Sequence, residues 1–345
     1  MIIRKQSGFP PRFRTLFRNK EVLMSLPALR RTGRRLLAGL AALAFLLVCI
    51  PARAGVSYRK IEINGLNYLL SNPDNFYQPG AVKTQADTLY RALKDHPEVQ
   101  TYVYLINSSR TVDVEKDVAA VPQTYTDITE SFTESKTDYL RMNSLEDYAS
   151  FFYTTDHHWN YHGSYTGYRA IVAMLLGEDE PVLEPLETVT FPVKFNGSMN
   201  KSLKQTNSEE DFTVYRFEYP EMKVELNGHP KPKYGNQEAY FAGKISREPL
   251  ANHYNNFYGG EFGLVHFETD RTDRGNLLVF SNSMSDALDM LLASHFHHTY
   301  FVDPRHYARS LGKNLVLKNA VEEWDISQVL ILGDGMYFEQ TYHYH

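Results

Sequence analysis

The sequence predicts an α/β protein built on a largely parallel sheet covered by helices on both faces. Short apolar runs bounded by turn or cap residues recur at 99–106, 277–280, 299–302 and 329–332. Stretches with helical spacing stand between or beside them at 84–95, 162–176 and 285–295. Apolar residues make up 43% of the chain, with 24 Tyr and 20 Phe, enough for one large core. Apolar runs of this length suit strands buried on both faces, and strands alternating with helices are the pattern of a parallel sheet.

The N-terminus reads as an address rather than as part of that fold. Residues 1–53 hold eleven Lys and Arg against one acid, Glu21, and 36–50 is an uncharged apolar run that ends before Pro51-Ala52-Arg53-Ala54-Gly55. A basic region, an apolar region and an Ala-x-Ala site make a signal peptide, with cleavage expected after Ala54. Fifteen apolar residues fall short of the ~20 needed to span a bilayer, which leaves a membrane anchor as the weaker alternative. Met24 is a second candidate start and would give a leader of more ordinary length. The mature chain, residues 55–345, is therefore expected outside the cytoplasm: in the periplasm, in the cell envelope or secreted.

Removing the leader takes the balance from 36 basic and 41 acidic residues to 25 and 40, a net charge of about −15. An acidic chain without a basic cluster repels nucleic acid, so no nucleic-acid partner is expected. The single cysteine, Cys49, lies in the leader, so disulfides and thiolate metal sites are excluded from the mature chain.

In chain order, Leu89, Ala92 and Leu93 share a helical face that stops at His96-Pro97. The strand at 99–106 ends in Asn107-Ser108-Ser109. Ser144-Leu145-Glu146-Asp147 resembles a capping box. The helix at 162–176 carries Tyr165, Tyr168, Val172 and Leu175 on one stripe and stops at Gly177. Residues 178–272 change character, with Pro, Asn and Gly punctuating alternating stretches such as 188–195 and 212–219. They read as a β-rich insertion. The α/β pattern then resumes.

Ser283 lies where the strand at 277–280 passes into a helix. Sites in parallel sheets form beyond the carboxyl ends of strands, and a helix start offers N–H donors to an oxyanion. Ser281 and Ser285 compete for the same role. Asp156-His157-His158-Trp159 joins two helices with residues that a plain linker would not use. In an extended segment Asp156 and His158 project to one side, so the carboxylate can orient the imidazole, and His157 points the other way. The alternative is a metal site using Asp156, His157, His158 and His162. His295, His297 and His298 form a second cluster near a helix end.

The segment Tyr153-Thr154-Thr155-Asp156-His157-His158-Trp159-Asn160, followed by Gly163-x-Tyr165-x-x-Tyr168, resembles the signature of the bacterial DHHW protein family. That family is similar to the SGNH-hydrolase-like domain of alginate O-acetyltransferases. The stretch from Ser281-Asn282-Ser283 to Tyr300-Phe301-Val302-Asp303-Pro304-Arg305 resembles its serine block. The resemblance implies an SGNH-hydrolase-like α/β/α sandwich, with Ser283 as nucleophile, His158 as base and Asp156 as its partner. It implies a carbohydrate O-acetyl esterase or O-acetyltransferase that needs no cofactor and no metal. A cell-surface or exported polysaccharide would be the substrate, and a membrane acetyl-donor protein a partner. The usual residue before the serine is Asp; Asn282 replaces it here, which motivates a non-catalytic glycan-binding or assembly protein as the alternative. Asn107, Asn282 and Arg305 are candidates for oxyanion or substrate binding, Arg305 with a structural salt bridge as its simpler role. Gly333-Asp334-Gly335 reads as the turn after the last strand.

Overall fold

The computed structural model describes residues 58–75, 78–340 and 344. The expected leader and its cleavage site lie outside them. Among the described residues no helix is long and apolar enough to cross a membrane.

Twelve strands are described: β1 (Tyr58–Ile63), β2 (Leu66–Ser71), β3 (Gln100–Leu105), β4 (Lys136–Tyr139), β5 (Glu187–Lys194), β6 (Asp211–Arg216), β7 (Lys223–Leu226), β8 (His229–Lys231), β9 (Leu264–Glu268), β10 (Asn276–Phe280), β11 (His298–Val302) and β12 (Ile326–Gly333). Eight of them form one sheet in the order β4-β3-β12-β10-β11-β9-β7-β8. The five from β4 to β11 pair in parallel, and the remaining pairs are antiparallel. The expected mostly parallel sheet is therefore its core.

The helices used below are α1 (Pro79–Leu93), α2 (Tyr161–Leu176), α3 (Ser198–Leu203), α4 (His253–Tyr258), α5 (Asp289–Ala293) and α6 (Leu317–Glu323). Successive strand residues face opposite sides, so each central strand feeds two cores. On one side Val103, Leu278, Phe280, Val329 and Ile331 meet Val82, Ala86 and Leu89 of α1 and Leu317 and Val321 of α6. On the other, Tyr102, Leu277, Val279 and Leu330 meet Tyr168, Ile171, Val172 and Leu175 of α2.

Two expectations change. The helix expected at 285–295 shrinks to α5, because the preceding residues form turns instead. Ser285 N–H bonds Asn282 O at 3.0 Å and Leu288 N–H bonds Ser285 O at 2.6 Å, and short polar side chains favour such local alternatives to a helix. The segment 178–272 is not simply β-rich. It contains α3 and α4, its strands β7–β9 extend the main sheet, and β5 and β6, on either side of α3, form a separate two-stranded sheet. Phe191, Phe195, Phe212, Tyr254 and Phe257 give it an aromatic core that also takes in Tyr153, beside the Asp-His-His-Trp segment.

Candidate active site

Ser283 stands three residues beyond the end of β10, at the carboxyl edge of the parallel sheet. Its serine neighbours are committed elsewhere. Ser281 and Ser285 are 2% and 3% exposed, and both hydroxyls bond the Asn282 carbonyl, at 3.0 and 3.3 Å. Ser283 Oγ lies 2.9 Å from His158 Nε2, and His158 Nδ1 lies 2.6 Å from Asp156 Oδ1. A carboxylate can only accept, so Nδ1 carries the proton and Nε2 accepts from the serine hydroxyl.

Asp156 is fully buried and collects further donors: its own loop's His158 N–H at 3.2 Å and, on the other oxygen, Ser198 N–H at 2.6 Å. Burial pushes its carboxyl up, but His158, His157 and the Ser198 N–H together outweigh burial and hold it well below the usual carboxylate range. Ser198 opens α3, and Gly197 before it is needed for the approach. A Cβ there would come within 2.6 Å of Asp156 Cβ and collide with Thr155 O. Thr154 is held by Glu210, whose carboxylate accepts from the Thr154 N–H and hydroxyl at 2.8 and 2.7 Å.

Residues 154–158 turn rather than extend, which corrects the expected position of His157. Its Nδ1 lies 3.3 Å from Asp156 Oδ1 and 3.2 Å from Ser198 Oγ, on the same side as His158. Burial lowers its pKa well below the ordinary value, and Arg110, His158 and Arg305 lower it further against the pull of Asp156. His157 is therefore neutral at pH 7. Trp159 spans to the nucleophile's turn, its Nε1–H donating to Met284 O at 2.9 Å. Its ring lies against Gly167 of α2, where any side chain would collide with it.

Asp156, His157 and His158 bring one ligand atom each to within 4.8 Å of one another, the one such group among the described residues. His162 does not join them, since its Nδ1 faces Ser150 O at 3.2 Å. An ion bound there would have to break the Asp156–His158 bond, so the donor set fits a hydrogen-bonded relay better than a metal centre. His295 is structural: it bonds the Tyr168 hydroxyl at 2.6 Å and lies 3.3 Å from Glu180.

Asn282 uses one end of its amide within its own turn and the other on the turn after β12. Nδ2 donates to Asp334 Oδ1 at 2.7 Å and Oδ1 accepts from Met284 N–H at 3.2 Å. Asp334, 1% exposed, also accepts from Met336 N–H and from Arg110. The carboxylate missing at position 282 is thus supplied by the turn after β12. Arg305 is clamped on Asp303 through two nitrogens, Nε at 3.0 Å and Nη2 at 2.6 Å, the structural salt bridge expected as its simpler role. Asn107 follows β3 and is 2% exposed, at the same carboxyl edge of the sheet as the turn after β10.

Sequence reading missed Gly197, Ser198, Glu210, Tyr254 and Asp334. The first four lie in 178–272, far along the chain from the residues they touch, and carry no local motif. The Gly-Asp-Gly turn at 333–335 was visible, but its pairing with Asn282 depends on β12 lying beside β10.

No protein-family model and no curated protein matches the chain. Solved structures do. A DHHW family protein from Eubacterium siraeum superposes with a TM-score of 0.57 at 17% identity, over 82% of this chain and 92% of that one. Bacillus cereus PatB1, solved with a sulfonyl adduct, superposes with a TM-score of 0.58 at 16% identity, over 82% of this chain and 97% of that one. The O-acetyltransferase domain of Pseudomonas putida AlgJ superposes less closely, with a TM-score of 0.42 at 10% identity over 83% and 94% of the two chains. At these identities the likeness is one of fold: the chain shares the α/β architecture of the DHHW family protein and of PatB1.

Proposed function

We propose that the protein is a serine-dependent carbohydrate O-acetyl esterase or O-acetyltransferase that works outside the cytoplasm. The observation that carries the proposal is the unbroken relay from Ser283 Oγ through His158 to Asp156, at 2.9 and 2.6 Å. Ser283 Oγ attacks the acetyl carbonyl while its proton passes to His158 Nε2, and Asp156 steadies the imidazolium that forms. Collapse of the tetrahedral intermediate expels the leaving group of the acetyl donor, a sugar oxygen in the esterase, which takes the proton from His158 and leaves Ser283 acetylated. Water or a second sugar hydroxyl then gives up its proton to His158 and removes the acetyl group.

Two donors are available for the oxyanion. The Ser283 N–H, in the turn after β10, and the Asn107 amide, beyond the end of β3, are the candidates. Each such donor contributes about 10²–10³ in rate. Asn282 commits one amide N–H to Asp334 and its oxygen to the Met284 N–H, which makes it the weaker candidate for that role. Asp334 beside Asn282 places a carboxylate next to the position that lacks one, which supports the catalytic reading over a non-catalytic glycan-binding or assembly protein. The sugar substrate follows from the resemblance of the Asp-His-His-Trp and serine blocks. The export assignment follows from the leader. An exported polysaccharide and a membrane acetyl-donor protein are the partners that this reading calls for.

The test is acetate release from an acetylated chromogenic ester. Ser283→Ala and His158→Ala are each expected to lower kcat by roughly 10⁴–10⁶, and a sulfonyl fluoride should add one sulfonyl group to the wild type and none to Ser283→Ala. Equal rates in all three proteins would remove the proposal.

A further inference from the structure

The segment 178–272 lays one more aromatic residue on the relay. The Tyr254 ring, from α4, lies parallel to the His158 imidazole, with centroids 3.8 Å apart and planes within 8°. Its hydroxyl donates to the Ser283 carbonyl at 2.9 Å. Tyr254 is fully buried and is braced by Tyr258 at 4.9 Å and Tyr153 at 6.5 Å. Burial, with Asp286 and Tyr258 nearby, raises the phenol well above its ordinary value, so the hydroxyl stays a neutral donor across the working pH range.

We infer that Tyr254 is a positioning residue that acts on both partners of the proton transfer: its ring face steadies His158 in the charged form, and its hydroxyl holds the backbone of the nucleophile. The inference rests on the reading of His158 as the base. An imidazolium over an aromatic face gains from the negative quadrupole of the ring, and gains most in a site closed to water. The neutral imidazole gains less, so the contact strengthens as the proton arrives from Ser283. That is the condition for an interaction to speed a step rather than merely tighten the resting state. The stack also blocks rotation of the imidazole out of the line between Asp156 and Ser283.

Several groups besides Tyr254 face His158. Asp156 and His157 come from its own loop, Ser283 from the turn after β10 and Tyr254 from α4. Asp286 and Asp289 act on Tyr254 from beyond, and Arg110 and Arg305 act on His157. A substitution at 254 that keeps the site dry leaves all of these charges in place.

The experiment compares wild type, Tyr254→Phe and Tyr254→Leu. The pH dependence of kcat/KM is read for activity, and the His158 ring is titrated by NMR in histidine-labelled protein. Tyr254→Phe keeps the stack and loses only the hydroxyl, so it should titrate as wild type and lose under about tenfold in kcat. Tyr254→Leu loses the stack, so the His158 titration and the acid limb of kcat/KM should both move down by roughly half to one pH unit, with a ten- to hundredfold loss in kcat. A Leu variant that melts like wild type but titrates at the same pH would overturn the ring's role. A Phe variant that behaves like Leu would overturn the division between ring and hydroxyl. The NMR titration needs no turnover, so a failure of the enzyme reading, seen as an unaffected Ser283→Ala, is distinguishable from a failure of this one.

Discussion

Ser283 and His158 meet at 2.9 Å but are held by unlike scaffolds. The serine follows β10, which is paired in parallel on both sides, with β11 and with β12. Its turn is fastened to the next strand end by Asn282 and Asp334. The histidine sits in a loop whose only ladder contact among the described residues is the bridge between Phe152 and Trp159. What holds that loop comes from elsewhere: Glu210 on Thr154, Ser198 on Asp156, Tyr254 on the imidazole and Met284 on Trp159. Sheet register places the nucleophile, whereas tertiary contacts place the base. Damage to 178–272 should therefore harm the base more than the serine, whose one bond to that segment among the described residues is the Tyr254 hydroxyl on its carbonyl.

The sharpest way to break that contrast is Gly197→Ala. The added methyl cannot fit beside Asp156 and Thr155 O, so α3 must withdraw and take the Ser198 N–H with it. A loss of about 10²-fold in kcat is expected in ester hydrolysis, the size of a misplaced catalytic group. Near-normal kcat would show that the loop holds its own shape.

That contrast also marks what could be read in the sequence. Strand and helix runs such as 277–280 and 162–176 were legible because their periodicity is local. Ser283 was legible because a strand end followed by polar turn residues is a local pattern too. Asp156 and His158 stood out as an odd polar string, but the shape of that string was not legible. An extended segment separates neighbours by alternation, whereas the observed turn brings His157 and His158 to one side of Asp156. The cause lies forty to a hundred residues away, in Ser198 and Tyr254, which no spacing rule connects to position 156.

A second test addresses the serine's side. Asn282→Asp would restore the more usual residue but set two carboxylates against each other at the 2.7 Å now spanned by an amide bond. One of them must then hold a proton in the folded state, so its folded pKa rises above the unfolded value. The variant should approach wild-type stability at about pH 4 and lose about 1–3 kcal/mol as the pH rises to 7, as thermal or denaturant unfolding would show. Equal stability at pH 7 would mean that the turn tolerates the second charge.

The smallest effect belongs to Glu210. Burial raises its carboxyl to about 7, against the downward pull of the Thr154 bonds. The folded protein thus binds this proton more tightly than the unfolded chain, so its contribution is full below about pH 4.5 and is lost as the pH rises to 7. Glu210→Gln keeps an acceptor for Thr154 and removes the titration. Its stability should be flatter than wild type's across that window, by about 1–2 kcal/mol. Parallel pH profiles would show that Glu210 ionises as freely in the folded state as in the unfolded one.

The position of β12 sets the order in which the molecule can be completed. This strand, Ile326–Gly333, is among the last described parts of the chain, yet it lies between β3 and β10 in the middle of the sheet. A chain growing from its N-terminus therefore carries β3 and β10 with open edges until residues 326–333 arrive, and open edges invite pairing with other chains. The turn that steadies Ser283 waits for the same event, because Asp334 follows β12 directly. Bracing the nucleophile's turn and closing the sheet therefore depend on the same strand, and a chain cut short before residue 326 would lack both.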